Sequence, residues 1–451
     1  MINIRSPLGI EVEVTYTLDF IFNTCLKIPY SVTSEDRDDF LITLPSGRTL
    51  SLSSAWWKHL SSGAPSEALL PTSIANVPLQ GYPEKVAPVL FGIPEMNISN
   101  DRIDCQIDVL GTIFFTLSRV EEIIVKDRDS LGRFCSEHSA AYKFGYLERP
   151  IVDEYVFYLH YLLRELDSNL PDITVDSEIF VTCDVDYPFD ISNNSWLSIF
   201  RCAAAKLLRA RSITKSFSAL SHGVLVKLGL SVDHYTNAVK SIIQDNDRVG
   251  NKVAFYFIPK VTSKFDPDID FLSQKAKDVV KIVADSGHEV GVHLGFQTEA
   301  DEKVTAESMS RYVQALRELG ISTDHIGCRM HYLKWDAYNT PSNLEINGIA
   351  YDTTLAFADR SGFRCGTSKR FPLYDWKNRR KSNVIEVPLI NMEVTVMSDS
   401  YEGVSTPNDL VLRMNKFKAL TRKYGGTYTL LWHNNNLIEK QWREAYKELV
   451  Q

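Results

Sequence analysis

The stretch "EIFVTCDVDYPFD", residues 178–190, ends an apolar run in two aspartates, Asp184 and Asp186, with Val185 between them. Alternate residues of a strand share a face, so both carboxylates point the same way. Neighbouring carboxylates raise one another's pKa unless a cation, a proton or an arginine compensates. Something positive therefore belongs beside them. Three later apolar segments also end in residues able to hold a metal or move a proton. "HEVGVHLG" closes on His293, which alternation puts on the face opposite Val290 and Val292. "HIGCRMHYL" carries Arg329 and His331 on one face, and "YTLLWHN" ends in His433. Taken singly, each is ordinary: a histidine at a strand end is commonly structural, an aspartate commonly a cap, and Arg329 could merely neutralise one aspartate. Four strand ends carrying Asp, His or Arg together form a constellation. Asp with His is also the ligand set suited to Zn²⁺ or a similar divalent ion. His288, five residues before His293, reads as structural.

The elements that must position these residues begin at Glu178. Seven apolar segments follow one another there: 178–186, 252–259, 288–295, 325–333, 348–354, 384–390 and 428–434. Several are separated by helical patterns such as "FLSQKAKDVVKIVADSG" (271–287). Strands alternating with helices predict parallel pairing, in a barrel or an open doubly wound sheet. Either architecture gathers functional residues at the carboxyl ends of its strands. Upstream, residues 1 to about 90 mix short strands with Ser/Pro/Gly-rich turns, and helices are predicted over 108–125 and 149–169. The proline-ended stretch 168–171 divides the chain into an N-terminal domain, 1–170, and a second domain, 171–451.

Composition bounds the rest. At 451 residues, 44% hydrophobic and 24% charged, the chain is a multi-domain globular protein. A net charge of -8 argues against a nucleic-acid partner, which would need a basic face. Seven scattered cysteines without a CxxC pair read as free thiols in a reducing compartment. Glu11 and Glu13 near the start exclude a signal peptide, and no apolar run reaches transmembrane length, so the expected address is the cytoplasm. One segment departs from the acidic average: 201–227 carries Arg201, Lys206, Arg209, Arg211, Lys215 and Lys227 with no acidic residue. Interleaved with apolar residues, it suits a basic amphipathic helix at the inner-membrane surface, or else a solvated helix packed on the second domain.

"TCDVD", "GHEVGVH", "CRMHYL" and "LLWHN", in that order, resemble the motifs of the polysaccharide deacetylase superfamily (carbohydrate esterase family four). More closely, the chain resembles bacterial members carrying an extra N-terminal domain of unknown function. "FFTLSRVEE" (114–122), "RPIVDEY" (149–155) and "YDTTLAFADRSGFRCGT" (351–367) carry that likeness, which spans roughly residues 100–440. The resemblance implies an α/β fold: a distorted seven-stranded (β/α) barrel preceded by a smaller α/β or α+β domain. It implies a metal-dependent N-deacetylase acting on an N-acylated sugar in cell-surface polysaccharide biosynthesis. A catalytically inactive carbohydrate-binding or assembly protein on the same barrel is the alternative. Mapped onto this chain, it makes Asp184 the general base, Asp186 and His293 metal ligands, Arg329 the holder of Asp184, and His433 the general acid. Zinc is the first expectation for the metal, with Mn, Co, Ni or Fe as alternatives.

Three departures stand out. The superfamily's second histidine, four residues after the first, is here Gln297; its usual proline after the arginine is replaced by His331; its adjacent aspartates are here separated by Val185. Two mapped ligands are few for a zinc site. His331 is the expected third, with Gln297 or a metal-free site as competitors. Asp352 and Arg364, in a glycine-bearing loop segment, are candidates to hold sugar hydroxyls or a carboxylate. Trp335 and Trp432, near the proposed catalytic residues in sequence, could stack on a sugar ring or pack in the core.

Overall fold

Along the strand Ile2–Pro7, Ile2, Ile4 and Ser6 are buried and the residues between them exposed, the pattern of a half-buried strand. A computed structural model of the protein describes residues 1–60, 64–193, 195–210 and 213–451, except for the side chains of 206, 209, 210 and 215. The chain is of mixed α/β class and forms two compact units. The first comprises 1–179, 332–404 and 413–429; the second comprises 180–331, 405–412 and 430–451.

The first unit contains a six-stranded mixed sheet. Its spatial order is Tyr30–Glu35, Ile2–Pro7, Asp39–Thr43, Thr49–Ser53, Arg102–Ile107 and Gly92–Ile98. Register places Ile4 opposite Ile42, Ile42 opposite Leu50, and Leu50 opposite Ile103. These four buried side chains make one apolar row across the sheet. The long helix Ile151–Leu166 packs against that sheet and against the helix Val109–Leu117. The single helix expected over 108–125 is interrupted: Val109–Leu117 and Val120–Ile124 are separate, and Arg119 between them is left-handed at φ 53°.

That break serves a buried charge network. Arg119 donates to Glu121 at 2.6 Å and to Glu122 at 2.8 Å. Arg364 grips Glu122 with both prongs of its guanidinium, at 2.8 and 2.6 Å, and donates to the Ala356 carbonyl at 2.7 Å. Burial raises the Glu122 pKa, but Arg364 and then Arg119 outweigh it and hold the carboxyl at about 2, against an ordinary 4.5. Because the folded value is depressed, this contribution is complete above pH 4.5 and is lost as pH falls towards 2. Glu122→Ala leaves the buried Arg364 guanidinium without its carboxylate and Arg119 with Glu121 alone, and is expected to cost about 3–5 kcal/mol in urea unfolding at pH 7. Glu122→Gln should flatten the acid limb of the stability–pH curve.

In the second unit, four parallel strands lie in the order Ile326–Met330, Glu289–Leu294, Val253–Phe257 and Ser177–Val185. Val253–Phe257 is buried at every position, as expected of a strand covered on both faces. Register aligns Asp184 with Tyr256, Tyr256 with Gly291, and His293 with Arg329, so the carboxyl ends finish level along one edge. Gly291 permits this close approach: a Cβ there would meet the Tyr256 ring at 2.4 Å. The helix Gln274–Asp285 falls inside the expected 271–287, capped by the Ser273 hydroxyl and ended before Gly287 at φ 76°.

All seven segments expected to be strands overlap one, the last three being Ile349–Asp352, Arg380–Glu386 and Gly426–Leu431, the latter two beginning before the expected 384 and 428. Among the described residues two more strands follow Glu178, Phe371–Asp375 and Asn391–Met392, giving nine where seven were expected. Phe371–Asp375 returns antiparallel on Arg380–Glu386 as a hairpin. Its proline at 372 and the basic run 377–381 obscured the strand pattern. All seven cysteines are free thiols. Among the described residues, no helix is long and apolar enough to cross a membrane.

Candidate metal centre

Asp184 and Asp186 end the strand Ser177–Val185 and the turn after it. Asp184 is buried, and its Oδ1 accepts from Arg329 Nη1 at 2.9 Å. The same nitrogen donates to Thr182 Oγ1 at 2.8 Å, and the guanidinium lies over the Tyr256 ring at 5.0 Å. Burial pushes the Asp184 carboxyl up, but Arg329 leads a set of neighbours that holds it below its ordinary value. Asp184 is therefore ionised at neutral pH and able to accept a proton.

His293 is fully buried at the end of its strand. Its Nδ1 lies 2.8 Å from the Arg329 carbonyl, which only an N–H on that nitrogen can satisfy. The Nε2 lone pair is thus turned towards the aspartates, 3.5 Å from Asp184 Oδ2 and 3.6 Å from Asp186 Oδ1. Burial lowers the His293 pKa, favouring the neutral imidazole that a metal requires. His331 repeats the arrangement. Its Nδ1 is 2.7 Å from Asp266 Oδ1, and its Nε2 is 3.7 Å from Asp186 Oδ1. The chain turns sharply just beyond it, with Tyr332 and Leu333 both left-handed at φ 62° and 54°. Such backbone is costly for non-glycine residues and tends to accompany functional sites.

Asp186, His293 and His331 bring one ligand atom each within 4.8 Å of one another. The separations of 3.6 and 3.7 Å are too long for hydrogen bonds. They approach the ~3.4 Å expected between ligands placed ~2.1 Å from one tetrahedral ion. Among the described residues, no donor reaches the buried Asp186 Oδ1. A buried carboxylate oxygen faced at these separations by two imidazole nitrogens fits a divalent cation. Gln297, the competing third ligand, is exposed.

His433 follows the strand Gly426–Leu431, with its Nε2 3.9 Å from Asp184 Oδ2. Trp432 N donates to the Thr182 carbonyl at 3.0 Å, and the buried Asn434 amide donates to the Tyr187 carbonyl at 2.8 Å. The histidine is therefore pinned on both sides to the segment bearing the aspartates. His288 lies apart from this group, accepting from Val253 N at 3.1 Å beside Asp247.

Asp266 is the residue that sequence reasoning missed. Its Oδ1 also accepts from Phe296 N at 2.9 Å, while Oδ2 takes Thr262 N, Thr262 Oγ1 and Ser263 N at 2.7, 2.6 and 3.0 Å. Burial opposes its ionisation, but His331 and these donors outweigh it and hold its pKa well below the ordinary value. Gly295 leaves room for it, since a Cβ there would lie 2.9 Å from Asp266 Oδ2. The only sequence signal is an acid in the loop after an apolar strand, in "FDPDIDF", where three aspartates compete for attention.

Of the four candidate substrate contacts, the two tryptophans take the core alternative, and Asp352 and Arg364 are buried. Trp432 is completely buried, edge-on to Tyr446, and Trp335 is 4% exposed, so neither offers a ring face to a sugar. Arg364 is buried in the first unit, with its guanidinium committed to Glu122 and the Ala356 carbonyl. Asp352, also fully buried there, accepts from Thr354 N and Oγ1 at 2.9 and 2.7 Å. It stands beside Glu386, whose pKa burial and Asp352 raise well above normal. The glycine-bearing segment is a buried support, not an open loop.

A family of unknown function, DUF7033, matches residues 2–168. No curated protein matches the chain. Among solved structures, a Mycobacterium smegmatis protein described as a polysaccharide deacetylase aligns with 17% identity, TM-score 0.41, 62% of this chain and 84% of its own. A Pseudomonas aeruginosa PAO1 protein of the same description gives 12% identity, TM-score 0.37, 61% and 84%. The PuuE allantoinase gives 13% identity, TM-score 0.33, 52% and 69%.

Proposed function

We propose that the chain is a metal-dependent N-deacetylase that hydrolyses the amide of an N-acylated sugar on a (β/α) barrel of polysaccharide deacetylase type. The observation that carries this reading is the convergence of Asp186, His293 and His331 beside an Arg329-held Asp184 and His433. The motif resemblance supplies the substrate class. Asp186 Oδ1, His293 Nε2 and His331 Nε2 would hold the ion. A divalent cation bound there supplies Lewis-acid polarisation of the acyl carbonyl and lowers the pKa of water from 15.7 to about 7.

The chain's own groups do the rest. Arg329 occupies Oδ1 of Asp184, which leaves Oδ2 to take the proton of the attacking water. His433, beside that oxygen, delivers a proton to the amine nitrogen as the C–N bond breaks, and a carboxylic acid and an amine leave. Asp266 acts through His331 by fixing its Nδ1 proton and ring orientation, so it is a positioning residue. Asp266→Asn is expected to weaken Zn²⁺ affinity about 10–100-fold in a chelator competition. A merely structural role would lower the melting temperature and leave the affinity of the folded fraction unchanged.

The reaction is tested by incubating Zn²⁺-loaded protein with N-acetylated and N-formylated amino sugars, free, nucleotide-linked and lipid-linked. Release of acetate or formate from at least one is expected. Metal-loaded protein that releases no acyl group from any of them would leave the carbohydrate-binding alternative standing.

A further inference from the structure

Between Asp190 and Asp233 the chain carries six Lys and Arg residues and no acid, although the whole molecule has a net charge of -8. This stretch follows the strand that bears Asp184 and folds into the helices Trp196–Ala210 and Ile213–Lys227, packed side by side. Ser216 Oγ donates to the Ala203 carbonyl at 2.8 Å, and Gly223 sits so close to Ile199 that a Cβ would meet it at 2.9 Å. The hairpin is rooted where Asp233 accepts from Asp190 N and Asn193 Nδ2, at 2.9 and 3.2 Å. Ile199 and Ala203 are buried on its inner side.

Its outer side is also apolar. Trp196, Phe200 and Leu207 recur at helical spacing and are exposed, flanked by Leu197 and Leu208. Leu208, Ile213, Phe217 and Leu230 are each at least 70% exposed. Single exposed leucines are unremarkable, but a run of large apolar side chains along two adjacent helices marks a surface that something covers. Residues 211 and 212, and the side chains of Lys206, Arg209 and Lys215, lie outside the described residues, so those charges are read from sequence alone.

We infer that the helices Trp196–Ala210 and Ile213–Lys227 lie in the headgroup region of an anionic lipid bilayer, with their exposed apolar side chains inserted. Charge selects the occupant. Exposed apolar rings and chains among Lys and Arg, with no acid between Asp190 and Asp233, match a surface that is negative at the interface and apolar just beneath it. The remainder of the chain is acidic in net charge, so this acid-free segment stands apart from it. Neither helix is long and apolar enough to span, so the contact lies along the interface. The inference stands independently of the chemistry at Asp184.

Flotation of the full-length protein with vesicles tests it. The protein is expected to float with phosphatidylcholine vesicles containing phosphatidylglycerol and to stay behind with phosphatidylcholine alone, and high salt should reduce binding. Leu208→Asp with Phe217→Asp, both fully surface changes, should lower the vesicle-bound fraction about tenfold with an unchanged circular dichroism spectrum. Failure of the wild type to float with anionic vesicles, or flotation of the double variant equal to wild type, would overturn the inference. So would a wild-type dimer by sedimentation that the double variant abolishes without any vesicle binding, because a second copy would then cover the patch.

Discussion

Asp184→Asn is expected to lower kcat for acyl release by about 10²- to 10⁴-fold while leaving divalent-ion binding intact. The substitution preserves shape, and an amide oxygen can still accept from Arg329, which keeps its second partner Thr182. What disappears is the ionised oxygen proposed to accept the proton of water. Asp184→Ala differs instructively. It leaves a fully buried guanidinium without its carboxylate, and the expected result is a loss of about 3–5 kcal/mol of stability in addition to activity. Steady-state kinetics beside thermal melts of both variants separate the two effects. An Asn variant with wild-type kcat would remove Asp184 from the base role.

His293→Ala is expected to weaken zinc affinity by more than about 100-fold, beyond what a residue acting through a ligand would cause. The imidazole lies within 3.6 Å of both aspartates, so its loss removes a proposed ligand and leaves two carboxylates facing one another with less compensation. Competition against a chromophoric chelator measures the affinity. The same experiment on Gln297→Ala should show no change, because Gln297 is exposed.

Much of this arrangement is legible in the chain because parallel strands carry their own signal. A buried run such as Val253–Phe257 reads as a strand, and alternation puts Asp184 and Asp186 on one side and Arg329 with His331 on another. Level carboxyl ends then bring distant sequence segments to one edge. What stays hidden is orientation beyond the strand end. Trp432 is adjacent to His433 in sequence, yet one is fully buried and the other partly exposed, since successive residues face opposite ways. Asp266 lies in a loop with Asp268 and Asp270, and only the fold shows that it alone turns inward to His331.

Buried charge pairs hide from the sequence for a similar reason. Arg364 in "GFRCGT" and Glu122 in "SRVEE" are 242 residues apart, and no local pattern links them. An arginine among glycines resembles a ligand clamp until its partner is known. Once Glu122 is seen to occupy the guanidinium, the same residues account for stability instead of binding.

The central claim is that Asp186, His293 and His331 hold one divalent ion. Calorimetric titration of chelator-stripped protein with Zn²⁺ tests it most directly. Saturable binding of a single ion per chain is expected, retained in Asp184→Asn and lost in His293→Ala. Absence of saturable binding for Zn²⁺, Mn²⁺, Co²⁺ and Ni²⁺ alike, in folded protein, would contradict it.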